Sequence, residues 1–424
     1  MAHRNLFIQF ARALAFALAL LLPFGASADP TLASKNHPVQ QLVEWELTAN
    51  NAMSRDALNR MAFAVLEGAE PGQIPGLAQF KALNYQERQQ AVALLSLSDL
   101  KKIVLVPVKL QYLEIPKDQI AALGNYSSHE IQSEIGERVK EAIYFEKNGK
   151  TYVRWFLHPL AGEGKSEIVK AIKERFNYTP EPVRGDYKFN FTSSRSMVVF
   201  KKGYEDAISL KVSLPAAEGP FKNKQIHLKE YTAWTRHNEY LADLIPGNST
   251  ENMILLNEPI GLGAGTYAKE DAFLTRDLKD LPKGKRYYLP AFSMLESETG
   301  AKIAALNGSN DPLKYWEKNF LEPMAKGLAE IRARTGAEHT SPHSQNLMIE
   351  LDESMKPTGK IVLRDFDFYI DETAFDMFNR VVKNKEGLID RRWVEDISGL
   401  QRHGFSLRNG LADLPTWMTE SDYG

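Results

Sequence analysis

The chain reads as an α+β protein with a helical N-terminal region, a central antiparallel β-sheet region and a helical C-terminal region. Three observations predict this. Residues 38–105 carry apolar positions at helical spacing, such as Val39, Leu42, Val43 and Leu47. Residues from about 103 to 290 then turn rich in β-branched and aromatic runs separated by hairpin signals. Helical spacing returns over residues 311–335. Helices, then strands, then helices is the order of an α+β fold rather than of repeating βαβ units.

The elements follow in order. Residues 84–103 keep the helical period, with a break near Ser96 and Ser98. Residues 103–113 read as a strand, with Pro107 marking a bend or an edge. A helix is expected over 131–142 and a hairpin over 141–156, turning at Asn148-Gly149, the strongest short hairpin signal. Residues 166–176 form an amphipathic helix pattern. A second hairpin joins 196–201 to 207–214, and 231–244 turn helical again. Residues 253–258 and 287–292 read as strands. The helix over 311–335 spans about seven turns and is closed by Gly336. Strands over 347–351 and 360–365 make a further hairpin, and the last fifty residues read as mostly helical. Gly261-x-Gly263-x-Gly265 lies outside any βαβ unit and is expected to be a flexible loop.

The N-terminus has the pattern of a cleavable secretory signal over residues 1–28. Arg4 and Arg12 are followed by an apolar run over 13–24 and by Ala26-Ser27-Ala28 at cleavage-site spacing. The run is shorter than the roughly 20 apolar residues a span needs. The expected product is exported, periplasmic or secreted, with no stable membrane span. Removing the signal takes two arginines and no acid, which moves the formal charge from −2 to −4. No basic excess points to nucleic acid. The absence of cysteine excludes disulfides, thiolate catalysis and Cys-ligated metal sites. The mature chain divides into a mostly helical region over 29–150, a β-rich region over 151–300 and a C-terminal region over 301–424. Oligomeric state is open, a homodimer included.

Two groups of residues could carry chemistry. Pro342-His343-Ser344-Gln345-Asn346 enters one strand, and Arg364-Asp365-Phe366-Asp367 ends the next. A hairpin of this length brings Asn346 and Asp365 to neighbouring strand ends. A carboxamide oxygen with one or two carboxylates suits Mg²⁺ carrying a nucleoside triphosphate, the logic of kinase-like sites. Either residue alone reads first as a turn cap or a strand end; the hairpin that joins them favours the site. The second group is Thr192-Ser193-Ser194-Arg195-Ser196, with Lys211 on the following strand and Arg236 on a later helix. Hydroxyls with Arg and Lys make a phosphate cradle, and a solvated turn is the alternative. His158-Pro159, Lys165 and Tyr178-Thr179-Pro180-Glu181 say little by themselves.

In this order the pieces resemble the IucA/IucC family, ATP-dependent siderophore synthetases that work without a peptide-synthetase assembly line. His158-Pro159, Lys165, Tyr178 to Glu181, Ser193 to Ser196, Lys211 to Leu214, Thr232 to Arg236, His343 to Asn346 and Arg364-Asp365 each match a family motif. Glu258 falls where that family has a Glu-rich strand. The resemblance implies that Ser193, Arg195, Lys211 and Arg236 hold phosphates and adenylate. It places His343, Gln345, Asn346 and Arg364 on the nucleotide, Asn346, Asp365 and Asp367 on Mg²⁺, and His158 and Lys165 on the substrate. Arg195, Lys211 and His343 are its catalytic set. The implied reaction is adenylation of a small polycarboxylate such as citrate, followed by attack of an amine or hydroxyl. Leu160-Ala161-Gly162 stands where the family has a second His-Pro, and Ser341 where it has an acid. The missing second His-Pro and the export signal favour an alternative: a non-catalytic periplasmic binding protein for citrate-like or siderophore ligands. A secreted kinase-like nucleotide transferase is the third reading.

Overall fold

The structure is a computed structural model that describes residues 37–49, 55–123, 126–130, 136–159, 166–193, 195–213, 238, 241–242, 244–266, 269–278, 281, 286–296, 299–335, 337–339, 342, 344–365 and 368–369. The signal-peptide reading, Lys165, Arg236, His343, Asp367, Gly336 and the C-terminal helices lie outside these residues. The architecture is α+β, as the order of elements predicts. The chain forms two compact units, Met1–Leu228 with Ile260–Thr275, and Lys229–Pro259 with Arg276–Gly424. The boundary expected at residue 150 instead falls within a continuous sheet.

The first unit opens with helices α1 (Pro38–Ala49), α2 (Arg55–Gly68), α3 (Leu77–Lys81), α4 (Tyr85–Ala93) and α5 (Leu97–Val104). Local chemistry sets their ends. Asn84 Oδ1 accepts from the Glu87 N–H at 3.0 Å while the Glu87 carboxylate accepts from the Asn84 N–H at 2.9 Å. This reciprocal box starts α4. Ser96 Oγ accepts from the Asp99 N–H at 3.1 Å and starts α5. Leu100, Ile103 and Val104 are buried on one face of α5. The apolar run expected to begin a strand at residue 103 therefore first closes this helix. Pro107 separates it from β1 (Val108–Pro116).

The sheet of this unit has nine strands in the order β2-β9-β10-β7-β6-β5-β1-β4-β3. Its members are β1, β2 (Tyr126–Glu130), β3 (Tyr144–Lys147), β4 (Lys150–Phe156), β5 (Pro182–Phe191), β6 (Ser196–Phe200), β7 (Ile208–Val212), β9 (Ile260–Thr266) and β10 (Lys269–Asp277). The short helix α6 (Lys117–Ala121) follows β1, and α7 (Glu137–Ile143) takes the first three residues of the expected 141–156 hairpin. The β3–β4 turn has Asn148 at φ 52° and Gly149 at φ 71°, the left-handed pair that a two-residue hairpin needs.

The Gly261-x-Gly263-x-Gly265 segment is strand, not loop. Ile260, Leu262 and Ala264 alternate with the glycines and are buried. Gly261 and Gly263 pair with His129 and Ser127 on one side and with Leu274 and Ala272 on the other. The period of two in the residues between the glycines outweighs the glycines' own weak strand preference.

Helix α8 (Glu167–Phe176) is started from a distance. Asp271, in β10, accepts from Ser166 Oγ at 2.5 Å and from the Ile168 N–H at 3.1 Å. Burial pushes the Asp271 carboxyl above the usual carboxylate range, and the Ser166 and Ile168 bonds oppose that rise. The folded chain thus holds this proton to higher pH than the unfolded chain does. The stability it contributes is full below the unfolded pKa and is lost as pH rises through the folded one.

The second unit contains β8 (Met253–Leu255), β11 (Tyr287–Pro290), β13 (Leu347–Leu351) and β14 (Pro357–Leu363) in the order β11-β13-β14-β8. The β14–β8 pairing is parallel and the other two are antiparallel. Pro290 is tolerated because β11 is an edge strand, and the chain passes there into α9 (Ala291–Glu296), not on to residue 292 as strand. Helices α10 (Thr299–Leu306), α11 (Pro312–Trp316) and α12 (Glu322–Thr335) follow. A π-helical turn over Glu317–Leu321 interrupts the helix expected over 311–335. Asp311 caps its start by accepting from the Lys314 N–H at 3.1 Å. A two-stranded ladder, β12 (Glu338–His339) with β15 (Phe368–Tyr369), completes the unit.

Asp271→Asn keeps an acceptor for Ser166 and Ile168 but cannot ionise. Urea unfolding of both proteins from about pH 4 to about pH 8 should show the variant gaining on wild type as pH rises. A gap that stays constant or reverses would mean that Asp271 is not the group being titrated.

Candidate functional site

Each unit gathers one cluster of the sequence-selected residues. In the first unit the turn into β6 is fixed by Ser193, whose Oγ accepts from the Arg195 N–H at 3.4 Å and the Ser196 N–H at 3.1 Å. The N–H groups of Thr192 and Ser193 both reach the Ser196 carbonyl, at 2.9 and 3.1 Å. Arg195 is therefore presented from a closed turn. The Val212 N–H donates to the Arg195 carbonyl at 2.9 Å, and Ser196 stands opposite Lys211 in the ladder. Arg195 and Lys211 thus leave adjacent strands one residue out of register. Lys211 is only 8% exposed, unusual for a lysine. His158 is buried after β4, its ring 6.2 Å from that of Phe191.

In the second unit the β13–β14 hairpin does what its length suggested. Leu347 pairs with Leu363, and the Arg364 N–H donates to the Asn346 carbonyl at 2.9 Å. Arg364 Nε donates to the Gln345 carbonyl at 2.7 Å, so part of this guanidinium holds the strand ends together. Asn346 is buried and Gln345 exposed. Asp365 follows at φ 64°, a left-handed conformation that costs a non-glycine residue about 1 kcal/mol and that Asp tolerates better than most.

That turn is held from several sides. His339 Nε2 lies 2.6 Å from the Asp365 carbonyl oxygen, and the His339 ring packs edge-on against Phe368 at 5.0 Å. The Asp365 carboxylate is ion-paired with Arg276. Arg276 Nε also donates to Glu258 Oε1 at 2.8 Å. Arg276 is 5% exposed, Glu258 1% and Asp365 25%. The Asn238 carboxamide brackets the Glu258 backbone, Nδ2 donating to its carbonyl at 3.2 Å and Oδ1 accepting its N–H at 3.3 Å.

Sequence reasoning did not select Arg276, Asn238 or His339 for this cluster. A signal for Arg276 was present: Arg276-Asp277 interrupts the apolar strand Phe273-Leu274-Thr275, and a charge in a buried strand demands a partner.

Among the described residues no group of three His, Asp or Glu side chains is placed to hold a metal. A protein-only cage is therefore not formed by them. Mg²⁺ keeps much of its shell as water and phosphate oxygen and needs only one or two carboxylates. Asn346 and Asp365 fit a nucleotide-borne cation in that sense.

Comparisons with known proteins are limited. No protein-family model matches the chain, and no curated protein does. Solved structures do. The petrobactin biosynthesis protein AsbB from Bacillus anthracis str. Sterne is 17% identical, with a TM-score of 0.42, over 62% of this chain and 46% of its own. Aerobactin synthetase IucC from a hypervirulent pathotype of Klebsiella pneumoniae is 12% identical, with a TM-score of 0.47, over 92% and 66%. ATP-bound aerobactin synthetase IucA from such a pathotype is 14% identical, with a TM-score of 0.46, over 91% and 71%. The chain spans about half the length of AsbB and about two thirds of IucC. At these identities and scores no activity follows from the likeness.

Asn238→Ala would leave the buried N–H and carbonyl of Glu258 without their side-chain partner. At about 1–3 kcal/mol for an orphaned buried group, the variant should lose about 2 kcal/mol or more in urea unfolding. A loss below about 0.5 kcal/mol, the level of an ordinary surface change, would contradict the bracketing role.

Proposed function

We propose that this chain is an exported, siderophore-synthetase-like ligase that uses ATP to adenylate a small polycarboxylate for condensation with an amine or hydroxyl. The observation that carries the reading is the open end of the β13–β14 hairpin. It sets Asn346, Arg364 and Asp365 on adjacent strand ends, where the motif order of the sequence puts the nucleotide and its metal.

Asn346 and Asp365 would hold Mg²⁺, which would offset phosphate charge when bound. Arg195 and Lys211 bind anionic groups, Arg through a planar fork and Lys as a point charge. In the reaction a substrate carboxylate oxygen attacks the α-phosphorus, the bond to pyrophosphate breaks, and an acyl adenylate forms. The amine or hydroxyl then displaces AMP and loses its proton. Fixed cations favour the charge that builds on phosphorus in the first step. Export requires that the protein reach a compartment containing ATP.

One observation favours a second reading. Asp365 already has a positive partner in Arg276, so its charge is met without a metal. A binding protein for citrate-like or siderophore ligands would use Arg195 and Lys211 and need no nucleotide.

ATP–pyrophosphate exchange by residues 29–424, with citrate among a panel of polycarboxylates, separates the two. The ligase reading expects acid-dependent exchange that falls by about 10²-fold or more in Asp365→Asn and in Arg195→Ala, with both variants folded by circular dichroism. Carboxylate binding with no exchange at millimolar ATP would establish the second reading in its place.

A further inference from the structure

We infer that Arg276 is the positioning residue of the proposed nucleotide–metal site, holding Asp365 in its ligating orientation through an anchor on Glu258. The inference rests on the reading of Asp365 as a ligand of nucleotide-bound Mg²⁺ and adds to it a residue that no motif of the sequence selected.

The geometry is that of a lever with one fixed end. Glu258 is the buried end, and Asn238 clamps its backbone on both polar groups. Its carboxylate takes Nε of Arg276 at 2.8 Å. That bond fixes the plane of the guanidinium, and Nη2, the neighbouring nitrogen of the same planar fork, then reaches Oδ1 of Asp365. The backbone of Asp365 is set separately, by His339 on its carbonyl and by the left-handed turn after the hairpin. Carbonyl and carboxylate are thus held by different elements, and the side chain loses the rotation a lone surface aspartate would keep. It remains a quarter exposed, whereas Arg276 and Glu258 are sealed. A partner that orients a ligating carboxylate typically matters 10–100-fold for metal affinity.

Two roles are possible for a cation beside a ligating carboxylate, and they have opposite signs. A guanidinium that only neutralises Asp365 competes with Mg²⁺, and its removal tightens the metal. A guanidinium that orients Asp365 assists Mg²⁺, and its removal weakens the metal. The second carboxylate supports orientation, because Glu258 on Nε fixes the plane from which Nη2 reaches Asp365, and screening alone needs no such anchor.

The test is calorimetric titration of residues 29–424 with ATP, in EDTA and across a range of Mg²⁺ concentrations, for wild type, Arg276→Lys and Arg276→Gln. Arg276→Lys keeps the buried charge but loses the rigid planar fork that sets one nitrogen on each carboxylate, and it decides the matter if Arg276→Gln does not fold. The expected result is an Mg²⁺ requirement raised about tenfold in Arg276→Lys and further in Arg276→Gln, with ATP affinity in EDTA unchanged. Gly300→Ala is the stability control. A Cβ there would lie 2.5 Å from the Met294 carbonyl oxygen, in the same unit and outside this cluster, so its Mg²⁺ requirement should not move. An Mg²⁺ requirement unchanged or lowered in both Arg276 variants, or raised equally in Gly300→Ala, overturns the inference while the parent reading stands. Wild type showing no Mg²⁺-dependent ATP binding removes the parent reading and this inference with it.

Discussion

A guanidinium that keeps only a twentieth of its surface in contact with water must have its charge met by the protein. Arg276 meets that demand with two carboxylates, Glu258 on Nε and Asp365 on Nη2. Much of the second unit's local geometry follows from the arrangement. Glu258 must be buried beside it, so its backbone has to be satisfied, and Asn238 does so. Asp365 must turn towards it at the end of β14, so the chain there takes a left-handed conformation that His339 stabilises through the carbonyl. Removing Arg276 would strand the buried Glu258 charge, and removing Asn238 would strand the polar groups of its backbone.

The first unit solves a related problem with backbone rather than charge. The turn at Thr192 to Ser196 folds its own N–H groups onto Ser193 Oγ and the Ser196 carbonyl. Arg195, just before β6, then stands opposite Val212, one residue out of register with Lys211. The same economy appears at Asp271, a strand residue that supplies the cap Ser166 does not make for its own helix. In both places a polar side chain satisfies backbone donors at an element boundary.

Much of this was legible in the sequence wherever a local rule acts alone. The break at Ser96, the Asn148-Gly149 turn and the amphipathic α8 follow from side chains within a few residues of the feature. The placing of Asn346 and Asp365 at neighbouring strand ends follows from hairpin length. What was missed depends on partners far apart in the chain. Glu258, Arg276 and Asp365 come from three separate segments, so no spacing rule connects them. The glycines of β9 suggest a loop through their backbone freedom, while the buried Ile260, Leu262 and Ala264 between them decide for strand. The run from residue 103 was assigned one element although it serves two, because apolar β-branched residues fit a buried helix end as well as a strand.

The central claim is that the end of the β13–β14 hairpin binds nucleoside triphosphate through a magnesium ion at Asp365. Calorimetric titration of residues 29–424 with ATP and Mg²⁺, wild type beside Asp365→Ala, tests it most directly. The account predicts metal-dependent ATP binding by wild type and none by the variant, both proteins being folded. Absence of Mg²⁺-dependent binding by wild type at millimolar ATP, or Mg²⁺-dependent binding that survives the loss of Asp365, would contradict it.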